Sequence, residues 1–229
     1  MIIFASLIAS SVSTTAAQIL QALGALLLLT AFATVAARLL SGTIAAYAVQ
    51  SLVLALVAAF VGYFTNSFDL YIVAVLTLLV KCGAIIWILR TAAARLHLQR
   101  EMRPYLNIPL SLLICAALTL LAFFTSPAVV APGTFLNEPP LAIAIALVLI
   151  GLFILSSRRH ALVQVIGLLT VENGLFSGAI AIAYGMPLII EFGILFDVLI
   201  AVIVMSLLVT RIQRELITAD TTDLRRLRG

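Results

Sequence analysis

Charge is scarce in this chain. Asp, Glu, Lys and Arg make up 10% of its 229 residues, where a soluble globular domain carries about 25%. Apolar residues fill 64% of it, against about 45–50% in soluble domains, and the mean hydropathy is +1.28. A soluble fold of this size could not hide so much apolar surface, whereas a bilayer solvates the outward face of a helical bundle. Cysteine is nearly missing too. Cys82 and Cys115 both sit inside apolar runs with no metal-ligand spacing around them, so they read as small core residues rather than a disulfide. The two histidines, His97 and His160, fall between apolar runs and read as interfacial basic residues. With no cysteine cluster and no pair of haem ligands, the sequence offers no electron path and implies no cofactor. Nothing in it has the pattern of a hydrolase, kinase or dehydrogenase site. The net charge of +4 and pI near 9.5 hint at nucleic acid, but every basic residue lies at or near the end of an apolar run, save one inside a run. That is a membrane-topology pattern and not a phosphate-binding face.

A membrane-crossing helix needs about 20 apolar residues, and seven candidates follow one another: 15–37, 43–64, 70–91, 109–130, 141–156, 161–184 and 188–210. Between them lie a Ser41-Gly42 break, the polar turn Thr65-Asn66-Ser67, a basic loop with Arg95, His97, Arg100 and Arg103, a Pro/Gly-rich loop over 131–140, the Arg158-Arg159-His160 turn and the Gly185-Met186-Pro187 turn. The fifth span is short, which suggests an earlier start or a tilt. The stretch from Met1 to Ala17 is apolar and then Ser/Thr-rich, but it lacks the positive n-region of a signal peptide and reads as the lead-in to the first helix. The fold class expected is therefore an all-α polytopic bundle. It has a four-helix membrane region (1–130), an extracytoplasmic loop (131–140), a three-helix region (141–211) and a cytoplasmic tail (212–229).

Seven spans put alternate ends on one side of the membrane. One side collects Arg38, the arginines from Arg90 to Arg103, Arg158, Arg159, Arg211, Arg214 and those of the tail; the other carries Asp69 and Glu138 and no Lys or Arg. The positive side is cytoplasmic, so the N-terminus is expected outside and the C-terminus inside. Losing any internal span would scramble this asymmetry.

Four ionisable residues remain inside the apolar runs: Lys81, Glu172, Glu191 and Asp197. Each costs on the order of 3 kcal/mol at the bilayer centre by insertion scales, so each should face protein or water. At the helical rise, Glu172 lies about 20 Å from Arg159, Asp197 about 21 Å from Arg211 and Lys81 about 14 Å from Arg90, which places all three in the middle third of the membrane. Glu191 lies nearer the outer end, where half-burial is cheap. A carboxylate and an amine at matching depth can pass protons through water, because desolvation narrows the free-energy gap between their charged and neutral forms. The alternative is a static ion pair that fixes helix packing. Gln50, at mid-depth in the second span, is either an interhelical hydrogen bond or part of a polar path. The Gly174-Leu175-Phe176-Ser177-Gly178 stretch is a GxxxG pattern that would let another helix approach closely.

The last three spans carry a resemblance. Val165-Ile166-Gly167-Leu168-Leu169-Thr170-Val171-Glu172-Asn173-Gly174, followed by Glu191-Phe192-Gly193-Ile194-Leu195-Phe196-Asp197, resembles the E component of hydrogenase-4, a membrane subunit of formate-hydrogenlyase-type complexes. The likeness extends upstream to Gln50-Ser51-Leu52-Val53-Leu54 and Lys81, and downstream to the tail over 223–229, so it covers nearly the whole chain. That family is in turn similar to the small K subunit of respiratory complex I over its last three helices, where two helices each carry a mid-membrane glutamate in the proton path. Glu172 matches the first. Asp197 matches the second by its spacing to the following basic cluster, with Asp in place of Glu; Glu191 has no obvious equivalent there.

The resemblance implies a non-redox membrane-arm subunit of a complex I-like hydrogenase or oxidoreductase in the bacterial inner membrane. Its partners would be antiporter-like and complex I-like membrane subunits and lipid, with no nucleic acid. In that setting Glu172, Asp197, Lys81 and Glu191 are the expected proton-relay residues, and the chain by itself is no catalyst. Two other readings stay open: a structural bridge between larger subunits and a redox arm, and a subunit of a multi-subunit cation/proton antiporter or ion-coupled uptake complex.

Overall fold

The computed structural model describes residues 2–95, 106–129 and 138–183. They form α1 (Ile2–Ala36), α2 (Leu40–Thr65), α3 (Phe68–Thr77), a π-helical segment (Leu78–Ile85), α4 (Ile86–Arg95), α5 (Ile108–Val129), α6 (Glu138–Ser157) and α7 (Ala161–Ala183). Among the described residues six helical stretches are long and apolar enough to cross a membrane: Gln18–Ala36, Leu40–Thr65, Phe68–Ala94, Ile108–Ser126, Pro139–Ser157 and Ala161–Ala181. These are the first six expected spans. The third is continuous through α3, the π segment and α4. The expected seventh span (188–210), the loop residues 131–137, the tail (212–229), His97, Arg100 and Arg103 lie outside the described residues.

Three boundaries differ from the sequence reading, each for a local reason. The first helix turns at residues 37–39, so Ser41 and Gly42 belong to the first turn of α2 instead of breaking the chain. The Leu39 carbonyl already accepts both the Thr43 N–H (3.1 Å) and the Thr43 hydroxyl (3.2 Å), which locks that turn. The fifth span takes the earlier start that its shortness suggested: α6 begins at Glu138 and runs 20 residues, because Pro139 and Pro140 fall in the first helical turn, where a missing N–H costs nothing. The lead-in, in turn, is helical from Ile2, making α1 35 residues long. The Thr65-Asn66-Ser67 turn is as expected. Asn66 sits at φ 50°, a left-handed conformation that Asn tolerates better than most residues. It ends α2, and the Ser67 N–H closes on the Gly62 carbonyl at 3.1 Å.

The bundle centres on α1, α2, α6 and α7, with α3 through α4 flanking α2 and α5 flanking α6 and α1. On α5 the buried positions Ser111, Cys115, Ala122 and Ser126 recur at helical spacing and are all small, so the helix seats closely on its neighbours by one stripe. Leu113, Leu120 and Phe124 point away and are exposed, as a lipid-facing surface requires. The tightest packing joins α6 to α7. A Cβ on Gly151 would stand 2.6 Å from the Val171 nitrogen and 2.8 Å from the Gly167 carbonyl; one on Gly174 would stand 2.8 Å from the Val148 nitrogen and 2.9 Å from the Ala144 carbonyl. These obstacles are backbone and cannot swing aside. The GxxxG stretch thus meets α6, chiefly through Gly174.

Arg158, in the turn after α6, is 3% exposed. Its guanidinium donates to the carbonyl of Val35, one of the carbonyls left without an intrahelical partner at the end of α1. Desolvation pulls this guanidinium below its ordinary value, but arginine starts so high that it stays charged. A residue that reads as a topology marker also fastens α1 to the α6–α7 turn.

Replacing Gly151 with Ala is expected to cost about 1–3 kcal/mol through overpacking. Thermal unfolding of the detergent-solubilised protein should show it. Gly42→Ala, whose nearest neighbour is the Ala37 methyl at 3.6 Å, should leave the transition unchanged.

Candidate functional site: a buried ion pair and its amide partners

Three elements converge on one buried polar cluster. The π segment brings Lys81, the single lysine of the sequence; α7 brings Glu172, Asn173 and Phe176; α2 brings Gln50. Lys81 Nζ stands 2.8 Å from Glu172 Oε1 and donates to Asn173 Oδ1 at 3.0 Å. Asn173 Nδ2 then donates to Gln50 Oε1 at 3.2 Å. The ammonium also lies 5.6 Å from the centre of the Phe176 ring, within the range of a cation–π contact. Lys81 is 2% exposed, Glu172 5%, and Asn173 and Gln50 are fully buried.

The local geometry follows from where each residue sits. Lys81 lies mid-way along eight π-helical residues, far longer than the single-turn π-bulges that usually interrupt helices and that concentrate at functional sites. Next to it, Cys82 Sγ reaches the Ala48 carbonyl of α2 at 3.8 Å, so the π segment is tied to α2 on one side and, through Lys81, to α7 on the other. Glu172 and Asn173 are adjacent on α7, and about 100° separates successive residues around a helix. The lysine head lies between the two side chains and touches both. On the carboxylate, neither oxygen accepts a hydrogen bond from the described residues; Oε1 is held by the ion pair with Lys81.

Of the four ionisable residues expected in the membrane interior, the structure brings Lys81 and Glu172 together. Glu191 and Asp197 lie outside the described residues. Gln50 makes an interhelical hydrogen bond, one of its two expected roles. Asn173 carried no role of its own in the sequence reading, although it stands beside Glu172 in the Glu-Asn-Gly motif. At nearly the same depth as Glu172, an amide in an apolar helix also needs a partner. Arg158 and Gly151 were missed because neither stands out from an ordinary turn cation or helix glycine until a neighbour is in place.

Comparison with known proteins gives this cluster its context. Hydrogenase-4 component E of Escherichia coli is 31% identical over 217 residues, covering 94% of this chain and 100% of that protein; the Shigella flexneri protein of the same name matches equally. The chain belongs to the hydrogenase-4 component E family. An uncharacterized Mycobacterium tuberculosis protein is 40% identical over 182 residues, 78% of this chain and 82% of that one. The family model for NADH-ubiquinone/plastoquinone oxidoreductase chain 4L matches residues 139–229. No solved structure matches. In this hydrogenase-4 component E relative, Glu172 and Asn173 therefore lie inside the region shared with chain 4L, whereas Lys81 and Gln50 lie outside it.

Lys81→Met is expected to lower stability by about 3–5 kcal/mol, because it leaves a bare buried carboxylate. Lys81→Met with Glu172→Gln should recover most of that loss. The thermal transitions of the two solubilised variants check both statements.

Proposed function

We propose that this chain is a non-catalytic membrane-arm subunit of a complex I-related, hydrogenase- or formate-hydrogenlyase-type oxidoreductase in the bacterial inner membrane, and that it carries part of a transmembrane proton path. Family membership supports the setting. The observation that carries the mechanism is the Lys81–Glu172 pair, 2.8 Å apart and buried between the π segment and α7. An ionisable pair in the membrane interior is a functional site by default. Glu172 is the relay carboxylate: Oε1 is held by the ammonium, and Oε2 is the oxygen at which a proton is taken up. Lys81 couples to it by charge, since protonating Glu172 removes the negative charge of the pair and loosens it. Asp197 is the second relay carboxylate, by its place in the matched motif, and Glu191 an outer one. Larger antiporter-like and complex I-like membrane subunits are its partners, and it passes no electrons.

The arginine asymmetry supports an N-terminus outside and a C-terminus in the cytoplasm. A green fluorescent protein fused after Gly229 should fluoresce, and alkaline phosphatase fused there should be inactive; the reverse pattern overturns the orientation.

A static pair that only braces the bundle is the second reading, favoured by the way Lys81 ties the π segment to α7. Charge-neutral substitution separates the two. Glu172→Gln and Asp197→Asn, each in the complete complex, should reduce proton translocation by inverted vesicles to near background while every subunit still co-purifies. Translocation that persists in both variants with the complex intact would leave the bracing role.

A further inference from the structure

The buried face of α2 changes character at the level of the ion pair. Thr43, Tyr47, Gln50 and Ser51 are at most 1% exposed, whereas no buried residue of α2 beyond Ser51 carries a polar side chain. Leu40, Ile44, Tyr47 and Ser51 stand at i, i+4, i+7 and i+11, which is one face of a helix. At the arginine-rich end of α2 that face opens on a cleft of about 470 Å³, whose lining includes Leu40, Ile44 and, from α4, Arg90. Arg90 is exposed, and its charged head keeps the mouth hydrated. The cleft reaches Ile44. Tyr47 is the next residue on the same face, and Ser51 lies about 10 Å beyond Ile44 at the helical rise. Beside Ser51, Gln50 is already joined to the pair. Its Oε1 accepts from Asn173 Nδ2 at 3.2 Å, and Asn173 Oδ1 accepts from Lys81 Nζ at 3.0 Å. Gln50 Nε2, the Ser51 hydroxyl and both Glu172 oxygens are buried with no hydrogen-bond partner among the described residues. Such groups are costly in a membrane interior and are ordinarily met by water held between several of them.

We propose that this half of α2 is the arm of the proton path that leads from the arginine-rich side to Glu172. Tyr47 and Ser51 are its hydroxyl links, Gln50 Nε2 marks its inner end, and water fills the intervals. A proton enters from the water of the cleft. Each hydroxyl both donates and accepts, so it takes one proton from behind, passes another forward and ends unchanged. The net change is one proton lost from the arginine-rich side and one gained by the Glu172 carboxylate. The apolar face beyond Ser51 gives the arm its end: α2 offers no route from the pair to the opposite side, and the exit runs along other elements. The arm deepens the relay reading of Glu172 and rests on it.

Two readouts in the complete complex test this arm. The first is proton translocation by inverted vesicles. Ser51→Thr and Ser51→Val add nearly the same bulk, but only Thr keeps the hydroxyl. Ser51→Val should translocate about tenfold more slowly than Ser51→Thr, the scale of one hydrogen bond in the path, with all subunits still co-purifying. Tyr47→Phe, which keeps the ring, should lower translocation severalfold. The second readout is contact with water. Ser51→Cys and Ala58→Cys place equal thiols on one face of α2, at two positions that are both fully buried, in a chain that also carries Cys82→Ala and Cys115→Ala. Methyl methanethiosulfonate reacts with the thiolate, which apolar surroundings suppress, and the mass of the isolated subunit records the reaction. Position 51 should be modified about tenfold faster than position 58, or more. Equal translocation by the Thr and Val variants overturns the proposal, as do equal reaction rates at positions 51 and 58. If Glu172→Gln by itself leaves translocation intact, the relay reading fails. The thiol rates still report whether water reaches Ser51 along α2, so the two failures are distinguishable.

Discussion

The bundle is organised around the energetic demand of two opposite charges in a medium that solvates neither. Lys81 and Glu172 are nearly inaccessible and 2.8 Å apart, and neither would be tolerated in the interior of a membrane alone. Meeting that demand fixes three things at once: the depth at which α7 sits against the third span, the rotation of each about its own axis, and the presence of α2 as the supplier of the amide that completes the network. The eight π-helical residues around Lys81 fit the same constraint. Widening the helix there gives up regular backbone bonding in a place where it is otherwise obligatory, and it coincides with the one lysine that has to reach across to α7.

The rest of the packing lets those charges meet. Helices in lipid gain nothing from hiding apolar surface from one another, so they associate through close van der Waals contact at small residues and a few polar bonds. The backbone contacts that Gly151 and Gly174 allow between α6 and α7 hold α7 from the side opposite the ion pair. Arg158, donating to the Val35 carbonyl, ties α1 into the same turn. The boundary of the chain 4L match at residue 139 divides this arrangement in two. The carboxylate and Asn173 belong to the shared region, while the ammonium and Gln50 come from the preceding helices. The added N-terminal part is therefore built into the site chemically as well as packed beside it.

Much of the fold was legible beforehand, because in a bilayer the length and polarity of each run nearly determine its structure. Six of the expected spans are present within a few residues. The differences came where local chemistry acts: proline at a helix start gave α6 the earlier of its two expected forms, and Ser41 and Gly42, although poor helix formers, sit in the first turn of α2, where propensity matters little. Depth counting along each helix put Lys81 and Glu172 at comparable levels, which is one coordinate of a contact.

The linear order of residues thus determined the membrane location, the spans, the charge asymmetry and the short set of ionisable groups that had to be accounted for, since each follows from the cost of transferring a residue into hydrocarbon. Tertiary structure alone decided which helices are neighbours and how each is rotated. It selected Lys81 for Glu172, gave Asn173 its place between lysine and Gln50, and turned Arg158 inward to α1. Those outcomes depend on interhelical distance and rotation, and the one-dimensional pattern of an almost uniformly apolar helix encodes neither: with few polar residues per turn, many rotations look equally favourable until a partner is in place.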